Sequence, residues 1–481
     1  MVQVLQSDNP PNYLTITTEK TQNEPRKILQ FVASTLATLS ALAMGLCLTW
    51  TSPALPMLEE ATTYPPITKN QGAWIGSLLT LGAFCGAIPA GTVANFIGRK
   101  RSLLFFALPL FISWMIIAYG NCVGALYAAR FLAGLAIGAI SVAAPMYVTE
   151  IAHTSIRGTL GTFFQVQITV GVFLGYVLGG TIDSFQYLAL ASSVFPIVFV
   201  LGFALMPETP AFLYATGRTN AARKSLIFFR GRDYNLLDEE LQKIAEDIKE
   251  STANKSKLSD LFRCRVTLKG LVVSLGLMAF QQLSGVNAVL FYAGNIFAET
   301  GNSMSADTCA ILVGAVQVIA TLLSTLLIDK TGRKILLFVS SSIMCVSLLA
   351  LGGYFHLKQT QDLAFLSALP LVSLAIFIVV FSIGMGPIPW LMMGEIFTAK
   401  SQGVATSVSA AFNWIMAFTV TNQYQNLNDL LGVGGTFMAF GAVCALGVVF
   451  IALLVPETKG KDIEQVQEAL MRNNCTKTSR V

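Results

Sequence analysis

Charge is what this chain most lacks. Asp, Glu, Lys and Arg together supply 12% of its 481 residues, about half of the ~25% usual in a soluble domain. The charges that are present cluster, and long runs free of them lie between the clusters. Each run is near the ~20 apolar residues that cross a bilayer core of ~30 Å. An ordinary soluble domain is excluded; a helical protein that crosses the membrane many times is expected. Histidine is scarcer still, with only His153 and His356, far apart in sequence. There is no phosphate-binding glycine loop, no Ser/His/Asp set and no cluster spaced to hold a metal, so neither an enzyme nor a cofactor is implied. The eight cysteines show no CxxC spacing. Cys47, Cys85, Cys309, Cys345 and Cys444 fall inside apolar runs and read as small buried side chains. The net charge of +5 does not point to nucleic acid, because the basic residues sit between apolar spans, where they set orientation.

What is present organises itself into spans. The apolar runs cover 28–50, 73–97, 102–120, 124–148, 159–181 and 187–206, then 267–296, 306–328, 335–354, 365–391, 403–424 and 434–455. Two sets of six flank a polar loop, 207–266. An even count puts both termini on one side. If that side is the cytosol, all but three of the 31 Lys and Arg lie in cytosolic segments, the exceptions being Lys69, Arg130 and Lys358. The positive-inside rule therefore predicts cytosolic N and C termini. Residues 1–27 read as a disordered cytosolic tail rather than a cleaved leader, and 456–481 as a cytosolic tail. Asn254-Lys-Ser and Asn474-Cys-Thr fit the glycosylation pattern but would face the cytosol, so neither is expected to be used. In the loop, Leu236, Leu237, Leu241, Ile244, Ala245 and Ile248 recur at helical spacing. They predict a short amphipathic helix, either packed beneath the membrane bundle or open to a partner.

The halves repeat. "GTVANFIGRK" (91–100) matches "TLLIDKTGRK" (325–334), "EIAHTSIRG" (150–158) matches "EIFTAKSQG" (395–403), and "PETP" (207–210) matches "PETK" (456–459). Three matched pairs in the same order predict two six-helix bundles, 28–206 and 267–455, related by a pseudo-twofold axis along the membrane normal. The repeated motifs are charged and lie at the cytosolic ends of spans. Arg99, Glu150, Arg157 and Glu208 in one half, and Arg333, Glu395 and Glu457 in the other, are expected as ion pairs between the bundles that hold the cytosolic side closed. Ordinary positive-inside anchoring is the alternative for any single arginine.

With these motifs in view, the chain resembles the sugar porter family of the major facilitator superfamily from about residue 28 to 461. The residues that carry the likeness are "GRK" (98–100), "RFLAG" (130–134), "EIAHTSIRG", "PETP", "QQLSGVNAV" (281–289), "GPIPW" (386–390), "FNW" (412–414) and "PETKG" (456–460). Within the family the texture is most similar to that of insect facilitated trehalose transporters. Several positions depart from the family pattern. Asn95 stands where the first half usually has Asp, Ala211 where Arg is common, and Thr398 and Gln402 where Pro and Arg are usual. These departures suggest a weakened cytosolic clamp.

The resemblance implies a plasma-membrane carrier of a small neutral sugar, working by alternating access and as a monomer. Its sugar-contacting positions fall on Gln165, Gln281, Gln282, Asn287, Gln317, Trp390 and Asn413. The chemistry agrees. A sugar offers donors and acceptors in every direction and apolar C–H faces, so its site needs neutral bidentate amides and aromatic walls, not fixed charge. Gln167 lies close by, as do Phe291, Tyr292, Phe381 and Trp414. A lone amide in a span is otherwise read as a helix–helix hydrogen bond. Within "FQQLSGVNAVLFYAG" (280–294), Gln281, Gln282, Ser284, Asn287 and Tyr292 spread over about 220° of a regular helix. That is too broad for one face, so a break near Gly285 is expected. Pro387 and Pro389 loosen the tenth span in the same way. Gly285, Tyr292, Pro387 and Pro389 are therefore expected as gating elements.

A proton-coupled porter needs a titrating carboxylate in the path. The first span, "ATLSALAMGLCLTWTSPAL", holds none, and Ser382 stands where many glucose uniporters carry Glu. Facilitated diffusion of trehalose is expected. A hexose uniporter, a proton-coupled symporter and a sugar receptor that does not transport are the alternatives.

Overall fold

The computed structural model describes residues 25–60, 66–253, 265–293, 296, 305–358, 366, 368–397, 399–461 and 463–472. Residues 1–24 of the N-terminal tail, both glycosylation motifs and Thr398 lie outside them. Among the described residues the chain is all helix and turn. The first half runs α1 (Ile28–Thr49), α2 (Thr51–Glu59), α3 (Lys69–Ile97), α4 (Arg99–Tyr119), α5 (Val123–Ile151), α6 (Arg157–Gly179) and α7 (Phe185–Phe203). The loop helices are α8 (Pro210–Ala215), α9 (Thr219–Arg230) and α10 (Leu237–Ala253). The second half runs α11 (Arg265–Leu283), α12 (Val286–Phe291), α13 (Ala306–Thr331), α14 (Arg333–Lys358), α15 (Leu369–Val380), a π-helical turn (Phe381–Met385), α16 (Ile388–Ile396) and α17 (Ala399–Leu454), followed by α18 (Ile463–Arg472).

Eleven of these stretches are long and apolar enough to cross a bilayer, where twelve spans are expected. The difference is α17. Its apolar stretch, Val404–Leu454, has 51 residues and would reach roughly 75 Å, more than twice the hydrocarbon core. Gly432 interrupts it with φ 70° and ψ 164°, a conformation open to glycine. The eleventh and twelfth spans thus meet at Gly432. Large apolar side chains such as Phe105, Leu205, Leu326, Val346 and Leu453 stay exposed on the bundle's outer faces, as a lipid solvent requires.

Small residues set the closest approaches. Gly82 and Gly86 on α3 face Gly134 and Gly138 on α5. A Cβ on any of the four would sit 2.1–2.3 Å from a carbonyl oxygen of the opposite helix. Two facing GxxxG pairs let the backbones touch, which replaces the hydrophobic drive that lipid cannot supply. The halves meet along α3 with α17 and along α6 with α13. Shifting by six spans exchanges these two interfaces, which is the pseudo-twofold relation in contact form.

The loop helices pack against the first half, and α10 includes the expected amphipathic helix. Gln30 donates to Phe229 O (3.1 Å) and accepts from His153 N (2.8 Å). The buried Arg230 donates to Ile151 O (2.8 Å) and pairs with Glu240 (2.6 Å). The final helix α18 is not evident in the sequence reading, which leaves 456–481 as a tail. It buries Val466 and Leu470 and docks on α11 and α16.

Candidate functional site

At the charged end the repeat is reproduced in both halves. Gly98 and Gly332 adopt φ 105° and 103°, turning α3 into α4 and α13 into α14. Glu208 fills the space a Cβ on Gly98 would need, and Glu457 does so for Gly332. Each carboxylate then accepts from the first amides of the next helix: Lys100 N to Glu208 at 3.0 Å, Arg333 N and Lys334 N to Glu457 at 3.0 and 3.1 Å. These amides lack helical partners, and the helix dipole favours an anion beside them. Arg99 pairs with Glu150 (2.9 Å) and Arg333 with Glu395 (3.0 Å). Thr209 and Thr458 donate to the free oxygens of Glu150 and Glu395. Burial alone would raise the Glu457 carboxyl. The backbone N–H groups of Lys459, Arg333, Lys334 and Thr458 outweigh it and hold the carboxyl below the usual range.

This corrects one expectation. The pairs do not join the bundles. Arg99–Glu150–Glu208 closes within the first half and Arg333–Glu395–Glu457 within the second, because each PET carboxylate is drawn to a helix start in its own half. Arg157 lies exposed at the start of α6, outside the cluster. Asn95 is exposed and Ala211 half-buried, and neither departure prevents the first cluster from forming.

The interior polar residues meet midway along the second half. α11 ends at Leu283, Gly285 is left-handed (φ 83°), and α12 restarts at Val286, so the helix breaks at the glycine. The break lets amides on different faces converge. Asn287 donates to Gln282 (2.6 Å), Gln282 to Asn413 (2.9 Å), and Asn413 to Gln281 (2.8 Å). Gln281 in turn donates to Met385 O (2.7 Å) and Gly386 O (2.9 Å). All four amides are buried, and they form one directed chain from α12 to the tenth span. The sequence reading has Gln281 facing a ligand; here its amide nitrogen is spent on backbone carbonyls.

Other groups in this region are unspent. Gln317 Oε1, Ser382 Oγ and Trp414 Nε1 are buried without a hydrogen-bond partner among the described residues. Unpaired buried polar atoms are costly, and a polar ligand would satisfy them. Gln165 and Trp390 are half-buried and make no hydrogen bond among the described residues. Gln165 lies on α6, which packs against the α13 that bears Gln317.

The far end, opposite the charged clusters, is bridged. Tyr176 donates to Leu290 O (3.1 Å) and Asn422 to Ser77 Oγ (3.0 Å), both between halves. Trp74 meets Phe418 with ring centroids 6.2 Å apart. Tyr292 is buried and stacks on Tyr424 at 4.9 Å.

Arg130 is fully buried. It donates to Ile75 O (3.1 Å) and Cys47 O (2.9 Å) and lies over the Trp50 ring. Its Nη2 has no partner, and no carboxylate pairs with it, among the described residues.

Comparison with known proteins places this geometry. The facilitated trehalose transporter Tret1 of Culex quinquefasciatus is 38% identical over 445 residues, 92% of this chain and 86% of that protein. The Tret1 of Aedes aegypti is 38% identical over 446 residues, again 92% of this chain but 55% of that protein. The chain thus spans about half the length of some of its curated relatives and most of others. The partially occluded inward-open xylose transporter XylE from E. coli superposes with a TM-score of 0.77 at 23% identity, over 90% of this chain and all of that one. A proton:xylose symporter XylE of the major facilitator superfamily, bound to 6-bromo-6-deoxy-D-glucose, gives the same score at 24% identity, over 92% and 99%. These structures share the fold. The model of the sugar (and other) transporter family matches residues 17–470: the chain belongs to the family of sugar (and other) transporters and has the major facilitator fold.

Proposed function

We propose that this protein carries trehalose across the plasma membrane by facilitated diffusion, as a monomer with both termini in the cytosol. The observation that carries the reading is the neutrality of the interior site. Its polar groups are amides, a serine and an indole, which suit a neutral polyol. The buried Arg130 rests on carbonyls and a tryptophan face, with no carboxylate beside it among the described residues for a proton-coupled cycle to load and unload. The relatives named facilitated trehalose transporters favour trehalose over a hexose.

The halves 28–206 and 267–455 rock about a sugar held between them by Gln165, Gln282, Asn287, Gln317, Trp390 and Asn413. Gln281 contributes through Asn413 and the tenth span. With the termini in the cytosol, the bridged far end is the extracellular side, and this conformation is the one closed there. Tyr292 above the Gly285 break and the Pro387–Pro389 segment act as gates. The charged clusters serve as rigid corners of each half, and what opens and closes at the cytosol is the gap between them.

Counterflow in liposomes tests the substrate. Preloaded unlabelled trehalose drives labelled trehalose inward more strongly than glucose drives labelled glucose if the reading is right. The reverse order would assign the site to a hexose.

A further inference from the structure

Pro387 and Pro389 carry no N–H. Each therefore removes the donor that a helix would offer to the carbonyl four residues upstream, Ile383 and Met385. A carbonyl left unpaired in the membrane interior costs free energy. Both are in fact paired, and by side chains from two other helices. Ser324 of α13 donates to Ile383 O at 2.9 Å, and Gln281 of α11 donates to Met385 O at 2.7 Å.

A third helix holds the π-turn. Ser340 of α14 donates to Val380 O (2.6 Å) and accepts from Met385 N (3.3 Å). Gly384 permits this approach, because a Cβ there would lie 2.5 Å from that of Ser340. The turn itself is closed by Gly386 N to Phe381 O (2.7 Å), the wider spacing that inserts one residue. Such insertions recur at functional sites. The proline break is thus a hinge whose carbonyls are clamped from three sides.

Ser324 is the informative member. It is 1% exposed and stands seven residues from Gln317, hence on the same face of α13. Thr321 lies between them on that face and bonds back to Gln317 O. One helix face therefore presents Gln317, with its unspent oxygen, and two turns further on presents the clamp. The same helix packs against α6 of the other half.

We infer that Ser324 is a positioning residue for the tenth-span hinge, capping the carbonyl that Pro387 orphans and tying the hinge to the helix that meets the opposite half. It touches no sugar. The hinge geometry stands independently; the transport consequence rests on the function proposed above.

The test compares Ser324→Ala with Ser409→Ala in the full-length protein in nanodiscs. Ser409 also loses a buried side-chain hydrogen bond, to Ser274, but away from the hinge. Hydrogen–deuterium exchange over residues 381–392 should speed up about tenfold in Ser324→Ala, the usual scale for one lost buried bond. It should stay unchanged in Ser409→Ala. Ser324→Thr, which keeps the hydroxyl, should restore protection. Ser340→Ala should loosen the same segment by a second route, should Ser324→Ala not fold. In liposomes, Ser324→Ala should lower trehalose turnover several-fold with equilibrium sugar affinity within about twofold. Unchanged exchange at the hinge would overturn the inference. So would a loss of affinity matching the loss of turnover, since Ser324 would then be a sugar contact. Hinge loosening without any sugar transport in the parent protein would overturn the proposed function and leave the clamp in place.

Discussion

Gln282 and Asn413 share a buried hydrogen bond of 2.9 Å that joins the seventh span to the eleventh. Asn413 passes its own donor on to Gln281, and Asn287 feeds the other end of Gln282. Gln282 and Asn413 are thus the two inner links, each bonded to other site amides through both its nitrogen and its oxygen.

Gln282→Ala removes a partner from Asn287 and from Asn413 at once. The loss of sugar binding should be about 1–3 kcal/mol, or roughly 5- to 150-fold in affinity. Equilibrium binding of trehalose to the purified protein checks it. Affinity within twofold of the parent would remove Gln282 from the centre of the site.

Asn422→Ala breaks the bond to Ser77 that bridges the halves at the far end. The prediction is a shift away from the conformation closed on that side. Faster amide exchange in α12, whose Leu290 carbonyl takes part in the far-end bridging, is the measurement. Exchange equal to that of the parent would mean the bridge does not hold the gate.

Gly138→Val places a side chain where a Cβ would already lie 2.1 Å from Ala83 O. Overpacking of this kind costs about 1–3 kcal/mol, so thermal unfolding in detergent should occur at a lower temperature. Gly91→Ala meets nothing within 4 Å and sits in the interior of α3. It should stabilise by up to about 1 kcal/mol through helix propensity. Equal effects at the two glycines would contradict the close-packed contact between α3 and α5.

The second end cluster should be acid-sensitive. Glu457 is held below the usual carboxylate range, so its charged form favours the folded state. Its contribution is fully present above the unfolded value of about 4.3 and is lost as pH falls through the lower folded value. Glu457→Gln should unfold at a lower temperature than the parent near neutral pH. The gap between the two should narrow as pH drops below about 4. A gap independent of pH would assign the effect to packing.

Much of this was legible in the sequence, for identifiable reasons. Bilayer thickness dictates span length, so apolar runs gave the helices to within a few residues. The break at Gly285 followed from angular arithmetic, because amides at 281, 282 and 287 cannot share one face of an intact helix. What could not be read was which partner each group would choose. The charges of Arg99, Glu150 and Glu208 were visible, but their pairing depends on the start of α4 presenting free amides beside Glu208, which keeps the cluster within its half. Thr209 and Thr458 were in plain view inside the repeated PET motif, and the repeat was the one signal that could have marked them. Ser324 and Ser340 look like any buried serines until the tenth span lies beside them. The spans 403–424 and 434–455 bracket the seam at Gly432, but nothing in their composition shows that helix continues from one to the other.

A neutral site without a titrating acid should carry trehalose passively. Uptake of labelled trehalose into proteoliposomes, with and without an imposed inward proton gradient, tests it most directly. A passive carrier gives saturable uptake that levels off at the external concentration and is the same in both conditions. Accumulation above that level, driven by the gradient, would contradict it.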